Sequence, residues 1–131
     1  MVSSSRNGRS SRAALACGLV AASALVLPAS GVSAHAFLLR SEPRVEATLV
    51  ESPEEIRIWF DSPVEPLYVD IRVENGDKRR VDRGDGRLNP RDNTLVQVGL
   101  EPLSPGRYRV FWSVIARDGH RKEGNFSFRV K

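Results

Sequence analysis

The chain has 131 residues, of which 20 are basic and 16 acidic, with two histidines, one cysteine and one methionine. Its formal charge of +4 is uneven: Arg6, Arg9 and Arg12 precede residue 35, no acidic residue does, and the remainder carries only +1. That near-neutral remainder argues against the clustered basic face of a nucleic-acid-binding domain. Cys17 and Met1 also precede residue 35, which leaves neither a disulfide framework nor a sulfur donor for a metal.

Residues 1–34 read as a secretory signal peptide. Three arginines among small polar residues lead into an apolar run from Ala13 to Leu27, followed by Pro28 and a zone of small residues. The run holds 15 residues, against the roughly 20 that a membrane span needs, so a retained anchor is the weaker reading. Cys17 does not fit a lipoprotein signal, because Ala14 stands where a leucine is expected. Two overlapping cleavage sites satisfy the small-x-small rule, "VSA" before His35 and "AHA" before Phe37. Cleavage after Ala34 is the expectation adopted here. Residues 35–131 then form a single exported domain of 97 residues, in the periplasm or outside the cell, with no later segment able to span a membrane. A chain of that size buries roughly 60–65% of its unfolded surface, enough for one core.

The mature chain follows period two. In "EIRIWF", Ile56, Ile58 and Phe60 share a face; in "YVDIRV", Val69, Ile71 and Val73 do. "VENGDKRRV" reads as a hairpin on Asn75-Gly76, and "RGDGRLNPRDN" as a loop. "TLVQV" alternates Leu95 and Gln97 with Val96 and Val98. "RYRVFWSV" places Tyr108, Val110, Trp112 and Val114 on one side, and "NFSFRV" does the same for Phe126, Phe128 and Val130. Alternation of this kind predicts half-buried strands. Prolines are expected at edges and turns, where a missing N–H costs least. No sustained helical pattern follows the leader. The fold class is therefore all-β: an antiparallel Greek-key β-sandwich of about seven strands.

The chemistry rests on two histidines. His120 lies in "IARDGHRKEGNF", two residues after Asp118. Residues two apart on an extended segment share a face, so Asp-x-His can aim an oxygen and an imidazole nitrogen the same way; a solvated Asp-Gly turn is the plainer alternative. Cleavage after Ala34 would make His35 the mature N-terminus, whose amine and imidazole can chelate one metal. With Asp118 and His120 this makes three nitrogens and one oxygen. That set suits tetragonal Cu(II); zinc could use the same ligands, but copper stands higher in the affinity order. Asp61, in "FDSP", reads as a strand end and not as a ligand. Tyr108, Trp112, Phe126 and Phe128 read as core, with Trp112 a candidate to pack beneath the site.

The stretch "PLSPGRYRVFWSVIARDGHRKEGNFSFRV" resembles the bacterial copper-resistance CopC family. The matching positions are Pro102, Leu103, Gly106, Tyr108, Val110, Trp112, Asp118, His120, Gly124, Phe128 and Val130. The stretch "HAFLLRSEP" is similar to that family's mature start. The resemblance implies an Ig-like, cupredoxin-like barrel, and one Cu(II) ion per chain held by His35, Asp118 and His120. It also implies a non-enzymatic copper carrier or buffer with a membrane partner of the CopD type. The methionine-rich Cu(I) site of some relatives is absent. Two other readings compete: a copper-dependent polysaccharide monooxygenase, which also uses an N-terminal histidine on an Ig-like sandwich, and a metal-free Ig-like interaction module.

Overall fold

A computed structural model describes residues 38–131. The leader, both cleavage sites and His35 lie outside the described residues. Eight strands follow in chain order: β1 (Leu38–Glu42), β2 (Thr48–Leu49), β3 (Glu55–Phe60), β4 (Val64–Glu74), β5 (Arg87–Asn89), β6 (Asp92–Gly99), β7 (Gly106–Ala116) and β8 (Arg121–Val130). They form two four-stranded sheets, ordered β1-β3-β6-β5 and β2-β8-β7-β4. Every pairing is antiparallel except the two-residue contact of β2 with β8. None of the described residues forms a helix long and apolar enough to cross a membrane.

The period-two faces meet between the sheets. Ile56, Ile58, Phe60, Val96 and Val98 from one sheet pack against Ile71, Val73, Tyr108, Val110, Trp112, Val114, Phe126, Phe128 and Val130 from the other. Burial of these branched and aromatic side chains, at about 25 cal/mol per Å² of apolar surface removed from water, is the main driving force for the fold. The alternation therefore located the core correctly. It missed β2, which is too short to show a period, and β5, whose "RLN" sits inside what reads as a loop.

The turn at Asn75-Gly76 forms, but its return limb does not become a strand. Asn75 Oδ1 accepts the N–H groups of Asp77 and Arg79, and the chain then makes a single bridge from Arg80 to Glu74. The next residues instead close the free edge of β4. Val81 N–H donates to Val73 O at 2.8 Å, and Asp82 Oδ2 accepts Val73 N–H at 2.8 Å. This cap covers backbone groups that an open edge would offer to another chain. Pro66 sits in the same edge strand, within an irregular stretch between the Val64–Ala116 and Val69–Val114 pairs, as expected for a residue lacking an N–H.

Candidate metal centre at the β7–β8 turn

Strands β7 and β8 form the longest ladder of the molecule, paired without a break from Gly106–Val130 to Ile115–Arg121. Shape fixes its middle. Trp112 faces Gly124 across the ladder, and a Cβ added at Gly124 would stand 2.6 Å from Trp112 Cζ2. Only glycine leaves room for the indole there. The other side of Trp112 meets Phe60 edge-on, with ring centres 5.0 Å apart. The base is fixed by Tyr108, whose hydroxyl donates to the carbonyl of Ser104.

At the tip the chain reverses through Arg117, Asp118, Gly119 and His120. Gly119 adopts φ = 85°, a left-handed conformation that side chains with a Cβ resist. Its N–H donates to Ala116 O at 2.8 Å, and Ala116 N–H donates to His120 O at 3.0 Å. Asp118 and His120 are therefore brought together by a tight turn, and not along an extended segment as the spacing suggested. Asp118 Oδ1 accepts the backbone N–H of His120 at 3.0 Å, and Oδ2 lies 3.2 Å from His120 Nδ1. Both side chains remain open to solvent, 60% exposed for Asp118 and 79% for His120.

The His120 backbone N–H, followed by its ring N–H, holds the Asp118 carboxyl below the usual carboxylate range. The carboxylate thus keeps its charge to lower pH than a free aspartate does. A ring proton on Nδ1, directed at Asp118, leaves the Nε2 lone pair free for a metal; carboxylate–imidazole pairs of this kind orient metal-binding histidines. The turn offers two hard-to-borderline donors, and among the described residues no group of three or more His, Cys, Asp or Glu side chains gathers for a metal.

Several segments converge at this end of the sandwich. Val64, at the start of β4, pairs with Ala116, and Arg117 N–H donates to Pro63 O at 3.3 Å. Pro63 follows Phe60 by three residues, and Phe60 pairs with Leu38, the first residue of β1. Asp61 lies in this connection, where its Oδ1 accepts the Ser62 hydroxyl, in keeping with a strand-end role. Trp112 is buried three register pairs below the closing Ile115–Arg121 pair, against the Phe60 ring.

The CopC domain family matches residues 38–131. The chain belongs to the CopC family. It is 32% identical over 124 residues to protein YobA of Escherichia coli K12, covering 94% of this chain and 96% of YobA. A CopC crystal structure from Methylosinus trichosporium OB3b superposes with a TM-score of 0.69 at 27% identity, over 74% of this chain and 94% of that one. The copper transport protein CutJ of Bacillus subtilis is 30% identical over 98 residues, which are 74% of this chain but only 18% of CutJ.

Membership makes the chain a copper-handling CopC protein and not an enzyme. The structure also explains much of the CopC pattern. Leu103 is buried, and its N–H is held by Ser52 Oγ at 2.8 Å. Tyr108 makes the corner bond, and Trp112 requires Gly124. In the S-x-P turn after β1, the buried Ser41 hydroxyl donates to Pro43 O at 2.8 Å. Asp118 and His120 are different: no packing demand accounts for two such exposed side chains at the tip.

Proposed function

We propose that this CopC protein carries or buffers copper outside the cytoplasmic membrane, holding one Cu(II) ion at the β7–β8 turn. His35 supplies amine and imidazole nitrogens as the mature N-terminus, Asp118 an oxygen, and His120 a third nitrogen. The observation that carries this reading is the position of β1. Its first residue, Leu38, pairs with Phe60 at the end of the sandwich that bears Asp118 and His120. His35 is three residues before Leu38, and an extended chain of that length reaches about 10 Å. A two-donor turn needs further donors to hold copper tightly, and a free histidine terminus brings two. Nitrogen and carboxylate donors without sulfur favour Cu(II) over Cu(I).

Copper is the cargo in this reading. The partner would be a membrane copper-transport protein of the CopD type; CutJ, a copper transport protein far longer than this chain, supports that pairing. The exposure of Asp118 and His120 suits an ion that must be handed on.

The test is retention of Cu(II) by the exported chain, with its N-terminus established by intact mass. The expected result is a chain starting at His35 that binds one equivalent. One extra residue ahead of His35 should abolish the amine chelate and change the copper EPR spectrum. A mature chain starting at Phe37, or unchanged binding after the extension, would overturn the His35 assignment. Protons compete with copper for imidazole nitrogen, so retention should fall below about pH 6.

A further inference from the structure

Arg121 follows His120 directly and opens β8 opposite Ile115. Its side chain turns away from the tip and lies along the solvent-facing side of the second sheet. There Nε donates to Ser113 Oγ at 2.9 Å. Nη2 stands 3.5 Å from Glu123 Oε2, and the guanidinium carbon lies 5.5 Å from the centre of the Tyr68 ring. Ser113 is one of two buried polar residues among those described, at 6% exposure, so its hydroxyl needs the partner that Arg121 provides. Tyr68 belongs to the irregular part of β4, where the ladder to β7 is interrupted between the Val64 and Val69 pairs. One guanidinium therefore ties β4, β7 and β8 together beside the turn, at the place where β4 lacks regular pairing.

We propose that Arg121 is a positioning residue for copper: by anchoring on Ser113 and Tyr68 it fixes the backbone that carries His120. The proposal rests on the reading that Asp118 and His120 hold the ion. Two other roles for Arg121 predict different behaviour. An exposed ion pair with Glu123 alone would leave copper binding unchanged. A purely electrostatic role has the opposite sign, because a cation beside a cation site repels the metal and its removal, which also frees Glu123, would tighten binding. Only positioning predicts that loss of a positive charge weakens the hold on a positive ion.

The experiment compares Cu(II) affinity and EPR spectra of the exported full chain with those of Arg121→Ala, Arg121→Lys, Ser113→Ala and the Arg121→Ala/Ser113→Ala double variant. Arg121→Ala should weaken Cu(II) binding about 10-fold, the size expected when a partner outside the ligand set is lost, and shift the EPR parameters. Arg121→Lys keeps the charge but not the planar fork, and should stay weakened. Ser113→Ala should weaken binding by less, and the double variant should be no worse than Arg121→Ala, because the two residues act through one contact. Thermal midpoints locate any general loss of fold, and if Arg121→Ala does not fold, Arg121→Lys carries the same comparison. Unchanged or tighter copper binding in the folded Arg121 variants would overturn the proposal. Failure of the metal site itself gives a separate signature: the unaltered chain would not retain Cu(II), or His120→Ala would bind as well as it does.

Discussion

Asp82 and Asp118 use the same local chemistry for different ends. Each accepts the backbone N–H two residues ahead, Gly84 for Asp82 at 2.9 Å and His120 for Asp118 at 3.0 Å. The same arrangement recurs at Asn75, Asn89 and Asp92, so it marks a turn and not a function. The second oxygen makes the difference. Asp82 spends it on Val73 N–H, with Arg80 alongside, and its side chain is fully buried. Asp118 turns its second oxygen toward an imidazole, and both groups face water. A carboxylate whose lone pairs are consumed inward is structural. One that shares an imidazole at an exposed tip still has coordination to give.

Substitution at the two aspartates should separate these roles. Asp82→Ala should cost the most stability, because it leaves the N–H of the buried Val73 without an acceptor, at about 1–3 kcal/mol, while the exposed Gly84 N–H can turn to water. Urea unfolding measures the loss, and copper binding by the folded fraction should be unchanged. Asp118→Ala should reverse the pattern, with copper affinity down about 100-fold by competition titration and an unfolding midpoint close to the original.

Gly124→Ala tests the ladder between these regions. Its Cβ would collide with the Trp112 indole, and the overpacking should cost about 1–3 kcal/mol, read as a lower thermal midpoint and altered tryptophan fluorescence. The smallest effect concerns acid. Because the Asp118 carboxyl titrates lower folded than unfolded, its contribution is present above the unfolded value and is lost as pH falls through the folded one. NMR titration of the Asp118 carboxyl carbon should give a lower midpoint in the folded chain than in urea, and His120→Ala should raise the folded midpoint.

The core was legible because its signal is a simple period. Ile56, Ile58 and Phe60, or Phe126, Phe128 and Val130, reveal their face by alternation alone. β2 and β5 were not, because their pairing is set by the sheets on which they land and not by any pattern of their own. The tip was legible in its residues but not in its geometry. Asp118 and His120 stand out by chemical type, whereas the turn that joins them depends on the left-handed Gly119 and on bonds to Ala116. Arg121 was hidden for a related reason. Its significance comes from Ser113 and Tyr68, eight and 53 residues away, and no local pattern connects them.

β1 is attached along one side only. It is a five-residue edge strand, paired only with β3, and its register shifts between Leu38 and Arg40. Such a strand frays at its free end. Copper gripped by His35 and by the β7–β8 turn would fasten that end to the far hairpin, so the cargo would also be a clasp. Amide hydrogen exchange at Arg40 and Ser41 would then slow on copper loading, while the interior of the β7–β8 ladder, already continuous, would exchange as before.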